Sequence, residues 1–430
     1  MKPIVCLLLA FFISCQAVCL EEKQPSLTLE EAWNLVIENH EQVKSLYLNN
    51  YQAKLNIRQT LARIFPCVGA SASVIFSNPS EAVDGERLIP SNFRAGSIKV
   101  NQPLIDLRFR PSYLSAKLAK DATCHQTEFE LFELLYMSSE AFLAVLQSKD
   151  LLHVSEHQLA LAEQQYEVTK EQYENGKVTI TDLLRSEEQV NRSKRALQDV
   201  RSDALIYEEN LSNLVGIDIC YYQLILPESI DLFAEKNLPC LLEEAFKRRQ
   251  DLKGVAASIE AMKLQIRALK RNNWPRLDLL GEYTLASPET LSYRNNSWSA
   301  ALILSAPLFD GWQNCLCVKN AEAELSKQEL LYSRLLKDLR VQVKSVYLAL
   351  TSAEANFALL KNELSIAEEN YQIFSERYKK GQTTNIDLLD ALNTYIQAQA
   401  NYAIAKYDLI LLTIKLKKET GFFDELLSCA

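Results

Sequence analysis

Tyr173-Glu174-Asn175-Gly176-Lys177-Val178-Thr179-Ile180-Thr181-Asp182-Leu183-Leu184 returns later in the chain as Tyr378-Lys379-Lys380-Gly381-Gln382-Thr383-Thr384-Asn385-Ile386-Asp387-Leu388-Leu389. The offset is about 205 residues, half of a 430-residue chain, and far above the solenoid period of about 20–50. Other landmarks recur at nearly the same distance. Phe65-Pro66 matches Trp274-Pro275, Pro103-Leu104-Ile105-Asp106 matches Pro307-Leu308-Phe309-Asp310, and Gly216 matches Gly421. One unit is present twice, with its elements in the same order.

Each unit reads as helix, strand pair, helix pair. In the first, a helix is expected from Leu29 to Ile64, ended by Pro66. Strand-like runs follow at Val68–Phe76 and Phe93–Val100, around a loop rich in Pro, Ser, Asn and Gly. A long helix then runs from Pro111 to Tyr173, Gly176 breaks it, and a return helix covers Asp182–Val215. The second unit repeats this as a helix over Glu243–Asn273, strands at Asp278–Leu285 and Trp298–Leu304, a long helix over Trp312–Lys380, the Gly381 break, and a return helix over Ile386–Glu419. The division is a signal peptide at 1–19, a first repeat at 20–216, a joining segment at 217–239, a second repeat at 240–421 and a tail at 422–430.

The breaker residues explain how such long helices are possible. The chain holds only 10 glycines in 430 residues, against a usual share of about 7%. Pro111 to Pro227 contains no internal proline, and none follows Pro307. Phe357, Leu360, Leu364, Ala367, Tyr371, Phe374 and Tyr378 are spaced alternately three and four apart. Leu152, Ser155, Leu159, Ala162, Tyr166, Thr169 and Tyr173 keep the same spacing. A sustained seam of this period packs as a coiled coil across each glycine turn. A long helix of about 65 residues spans about 100 Å, and each shorter helix about half that, so two short helices end to end match one long one.

The strands alternate. Asp278, Glu282 and Thr284 share one face while Leu279, Tyr283 and Leu285 share the other; Ser97 and Lys99 oppose Ile98 and Val100. Such alternation marks a membrane β-barrel, weakly per strand. The alternative is two solvent-facing hairpins. Four strands cannot close a barrel, whereas three chains supply about twelve.

Lys2 and the apolar run Ile4–Ile13 read as a signal peptide, cleaved after Ala17 or Cys19. Phe12-Ile13-Ser14-Cys15 is a poor lipoprotein-type site. No segment has the roughly 18 consecutive apolar residues of a membrane helix. A net charge of −9 without a basic stripe argues against nucleic acid. Among the ten cysteines, Cys220 and Cys240 flank one short loop and are the best disulfide pair in an exported protein. Cys315-x-Cys317 lacks a second ligand pair at zinc spacing. His153-Val154-Ser155-Glu156-His157 fits a metallopeptidase pattern, but it lies in the heptad seam and its repeat counterparts are Ala358 and Asn362. No catalytic residue, metal or cofactor is expected.

These duplicated motifs, Tyr173-x-x-Gly176 with Asp182, Tyr378-x-x-Gly381 with Asp387-Leu388-Leu389-Asp390, and the exits at Pro103 and Pro307, resemble the TolC-like outer-membrane efflux family over nearly the whole mature chain. The resemblance implies a mainly α chain with a small β-barrel: a homotrimer whose twelve-stranded barrel in outer-membrane lipid continues into a long periplasmic helical tunnel. It implies an exit duct working with a periplasmic adaptor and an inner-membrane pump. Asp387 and Asp390 match the aspartates that ring the narrow entrance. Tyr378 and Asp182 match the network that holds it shut. Thr383 stands where relatives can have arginine, so the network is incomplete or Arg185 takes over. About six carboxylates at one constriction would attract cations; the simpler role of both aspartates is to favour a helix N-terminus. The competing reading of the whole chain is a secreted or surface-attached coiled-coil scaffold without a pore.

Overall fold

A computed structural model describes residues 25–76, 92–226, 237–287 and 296–422. The signal peptide with Cys15, both strand-tip loops, residues 227–236 of the joining segment and almost all of the tail lie outside these residues.

The elements follow the expected order with two additions. The first repeat holds β1 (Ser26–Thr28), α1 (Leu29–Asn39), α2 (Glu41–Ala62), β2 (Cys67–Phe76), β3 (Asn92–Ile105), α3 (Phe109–Glu174) and α4 (Ile180–Val215). A 3-10 turn (Ile219–Tyr221) and β4 (Gln223–Ile225) lead to the second. That repeat holds α5 (Leu238–Arg248), α6 (Gln250–Lys270), β5 (Arg276–Ser287), β6 (Asn296–Ser305), α7 (Gln313–Lys379) and α8 (Asn385–Thr420). At 66 and 67 residues, α3 and α7 are about 100 Å long.

The opening helix of each repeat is broken, contrary to the expectation of one continuous helix. His40 leaves the helical region with ψ 131°, and its Nδ1 accepts from Gln42 N at 3.1 Å to cap α2. Arg249, at the same place in the second repeat, turns with ψ 126°. The breaks come from packing. Gly216, with φ +76°, ends α4 against Asn39, and Gly421, also at φ +76°, ends α8 against Arg248. A Cβ on Gly421 would stand 2.8 Å from Arg248 Cβ, so only glycine fits there. The second unexpected feature is a parallel pairing of β1 with β4, which ties the chain's start to the segment between repeats.

The main core lies around these breaks. Trp33 and Val36 of α1, Leu135 and Phe142 of α3, Leu211 of α4, Ile219 of the 3-10 turn and Ile414 of α8 form one buried cluster. Trp33 Nε1 donates to Ser139 Oγ at 2.9 Å. In the second repeat, Leu241 packs with Val346, Leu350 and Leu416, and Ala245 with Leu252, Leu339 and Val343. Arg249 fills the second break as a buried cation. It donates to both carboxylate oxygens of Asp251, at 3.0 and 2.6 Å, and to Glu419 Oε2 at 2.6 Å. Burial opposes its charge most, yet its bonds to Asp251 and the nearby Glu419 charge hold its pKa above the ordinary arginine value.

The coiled-coil seams are where the heptads put them. Ala367 and Tyr378 are buried on α7, and Ser155, Ala162 and Thr169 on α3, with the intervening seam positions half-buried. The exception is Tyr173, which is exposed.

β2, β3, β5 and β6 form one antiparallel sheet in that order, with β2 and β6 as open edges. Its register places Ser71 opposite Ser97, and Lys99 opposite Glu282, with an ion pair at 3.1 Å. Glu282 faces Ser299 across β6. The alternate positions carry Val68, Ile98, Val100, Leu279, Tyr283, Leu285, Trp298, Leu302 and Leu304, all exposed. The expected two-faced sheet is therefore present.

Candidate functional site at the glycine turns

The ends of the two helical hairpins are built alike. Gly176 and Gly381 take φ +70° and +71°, where L side chains are strained. Gly176 N donates to Tyr173 O and Lys177 N to Gln172 O; Gly381 N donates to Tyr378 O and Gln382 N to Arg377 O. Both closures reuse the last carbonyls of a long helix. Each return helix then opens on a capping box, Thr179 with Asp182 and Thr384 with Asp387.

The carboxylates are thus occupied locally. Asp182 Oδ2 accepts from Thr179 N at 3.1 Å and Thr179 Oγ1 at 2.7 Å. Asp387 Oδ2 accepts from Thr384 N at 3.2 Å, Thr384 Oγ1 at 2.6 Å and Thr383 Oγ1 at 3.1 Å. Thr383 therefore braces Asp387. The Thr384 and Thr383 bonds hold the Asp387 carboxyl below its usual range. Asp387 and Asp390 are both exposed. Arg185 is exposed too, and among the described residues its side chain makes no hydrogen bond or ion pair.

Behind the turns lies a buried polar network. Tyr378 is 2% exposed, and its hydroxyl meets Thr169 Oγ1 at 3.2 Å. Thr169 gives its proton to Gln165 O at 2.9 Å, so it accepts from the tyrosine. Asn385 Nδ2 donates to Asp182 O at 3.0 Å and to Ser186 Oγ at 3.2 Å. Gln165 reaches Asn385 Oδ1 at 3.4 Å, and Gln189 donates to Asn393 Oδ1 at 3.1 Å. Four helix ends are thereby joined. Burial raises the Tyr378 pKa, the Thr169 bond opposes this, and the Asp182 charge adds to the rise.

Sequence reasoning placed Tyr378 and Asp182 together, and the structure brings them near, but through the Asp182 carbonyl and Asn385 rather than the carboxylate. It missed Gln165, Ser186 and Asn385. The available signal was Thr169, a polar residue in a mostly apolar seam. Elsewhere, Cys220 and Cys240 are free, exposed thiols, which corrects the expected disulfide. The Cys220 backbone N donates to Asp218 Oδ1 at 3.2 Å, which caps the 3-10 turn. His153 and His157 are exposed, and His157 meets Tyr395 edge-on at 6.4 Å. Among the described residues no His, Cys, Asp and Glu cluster could hold a metal, and no helix is long and apolar enough to cross a membrane.

The family described as outer membrane efflux protein matches residues 32–217 and again 241–421. The chain belongs to the outer membrane efflux protein family. Among curated relatives, outer membrane protein TolC of Escherichia coli K12 is 24% identical over 86% of this chain and 77% of its own length. Its Vibrio cholerae namesake is 22% identical over 97% and 96%. The alkaline protease secretion protein AprF of Pseudomonas aeruginosa is 22% identical over 76% and 70%. Among solved structures, the Campylobacter jejuni CmeC outer membrane channel aligns with a TM-score of 0.79 at 15% identity, covering 91% of this chain and 85% of that one. VceC of Vibrio cholerae gives 0.77 at 16%, covering 91% and 96%. The fold is therefore that of a TolC-like channel, and the protein is an outer-membrane transport protein with periplasmic helices.

Proposed function

We propose that this efflux-family chain is the passive exit duct of a tripartite efflux or type I secretion system. Three copies close their four-stranded sheets into a twelve-stranded barrel in outer-membrane lipid, and their helices continue it as a periplasmic tunnel. A periplasmic adaptor and an inner-membrane pump supply cargo and energy, and the chain itself catalyses nothing. The glycine turns form the narrow entrance. Asp387 and Asp390 line it, and the Tyr378 network holds it closed.

The sheet carries this reading. Trp298, Leu304 and Leu302 are 79%, 71% and 67% exposed on one face, while Lys99, Glu282 and Ser299 occupy the other. Water disfavours such an apolar face, and lipid favours it. Two open edges, each about ten residues long, need further strands. The relatives' names support both branches of transport: BepC of Brucella suis is an outer membrane efflux protein, and AprF a secretion protein. A secreted scaffold would leave the apolar face in water.

The test is the mass of the protein extracted from outer membranes in detergent, followed by current across a planar bilayer. A trimer that conducts is expected. A stable, non-conducting monomer in lipid would return the chain to the scaffold reading.

A further inference from the structure

The internal duplication gives a template for contacts that a single chain cannot make. Near the turns, α3 packs against α4 on one side and α8 on the other, and α7 packs against α8. The α3–α8 seam joins repeat one to repeat two. In a closed ring of copies, the same junction recurs between repeat two of one copy and repeat one of the next, with α7 meeting α4. Shifting each residue of the internal seam by the repeat offset names the residues of the external one.

The result is a change of chemistry. Internally, Tyr378 meets Thr169, and Asn385 meets Gln165 and Ser186. Their counterparts are Tyr173 with Phe374, and Ile180 with Asn370 and Ala391. The tyrosine and the residue at the helix start differ in exposure as the template requires, while Ala391, like Ser186, is already buried within its own chain. Tyr378 is 2% and Asn385 3% exposed, whereas Tyr173 and Ile180 are 40% and 50% exposed. The same tyrosine, closing the same heptad seam, is buried where its neighbour lies within the chain and bare where that neighbour lies outside it.

We infer that adjacent copies meet at the turns through a mainly apolar seam, in which Tyr173 and Ile180 of one copy pack against the α7 end of the next, Tyr173 on the half-buried Phe374 and Ile180 beside the exposed Asn370. This rests on the trimeric duct proposed above. Around the entrance, buried polar contacts within chains then alternate with apolar contacts between chains. The two respond differently to perturbation. The internal contact depends on hydrogen bonds in a buried place, and the external one on apolar area removed from water.

The experiment uses the full-length protein with its mature-chain cysteines changed to Ser. Tyr173→Cys and Phe374→Cys are combined and treated with a short bismaleimide in outer membranes, and detergent mass is measured in parallel. The expected result is a shift of the main denaturing-gel band from one-chain to three-chain mass, absent from either single variant. Ile180→Asp, at a position open in the single chain, is expected to keep the trimer and raise bilayer conductance. A trimer by mass whose band stays at one chain, with Ile180→Asp conductance unchanged, overturns the apolar seam and leaves the duct reading standing. A monomer by mass overturns both.

Discussion

Thr169 and Tyr378 occupy seam positions in helices over 200 residues apart in sequence, and their hydroxyls meet behind the turns. Tyr378→Phe removes one hydrogen bond and no bulk. Thr169 keeps Gln165 and Ser186 as partners, so the cost to stability is about 1 kcal/mol. Trimer yield is expected to hold while bilayer conductance rises, because the bond joins α3 to α7 at the proposed constriction. The two aspartates separate on the same geometry. Asp390 carries no cap, so Asp390→Ala is expected to weaken block by a trivalent cation added from the turn side and to leave thermal unfolding unchanged. Asp387→Ala should weaken block and also loosen the turn, since its carboxylate holds three donors. Its folded pKa is depressed, so this contribution is present above the ordinary carboxylate pKa. It is lost as pH falls through the lower folded value. Thermal melts of wild type and Asp387→Ala should therefore converge on acidification below about pH 4. A gap that instead widened toward acid would contradict the capping bond.

At the scale of elements, the break in the second opening helix holds a buried charge cluster. Arg249→Ala would take the bidentate partner from the buried Asp251 and leave Glu419 with only Lys418, 3.5 Å away, and removing one partner of such a buried pair costs about 3–5 kcal/mol. Chemical denaturation of the detergent-solubilised protein should show that loss, and a drop below about 1 kcal/mol would mean that water reaches the site. Gly421→Ala places a Cβ against Arg248 in a left-handed backbone. It should cost on the order of 1–2 kcal/mol from the backbone alone, with the clash in addition. Gly176 has open space around it, so Gly176→Ala should show the backbone cost without the clash. Neither break was legible in the sequence. His40 and Arg249 are not helix breakers, and the apolar periodicity continues on both sides of each. The breaks are set by tertiary contacts with Gly216 and Gly421, which a linear pattern does not encode. β1 and β4 were hidden for a related reason, since three residues are too few to display a strand period. The long helices and the two-faced strands were legible because each repeats its period many times.

For the whole molecule, the decisive property is that one sheet has a wet face and an apolar face. The duplicated turns identified the architecture from the sequence, but the sheet register is what places Leu302 and Ser299 on opposite sides of the same strand. Two substitutions three residues apart therefore carry opposite expectations. Leu302→Lys puts a charge on the face proposed to contact lipid. The cost there is about 2 kcal/mol, rising toward 4 at mid-membrane. The amount of trimer recovered from outer membranes should fall, with the chain accumulating in soluble or degraded form. Ser299→Lys puts the same charge beside Glu282, on the face proposed to line the lumen, where water solvates it. Trimer yield should match wild type, and the current should shift toward anions because the barrel interior gains one positive charge per copy. The comparison holds side chain, strand and distance from the edge nearly constant, so a general intolerance of lysine in β6 affects both variants equally. Equal yields from the two would mean that both faces meet water. The open edges of β2 and β6 would then belong to an exposed hairpin pair, and the helical rod would have no membrane end.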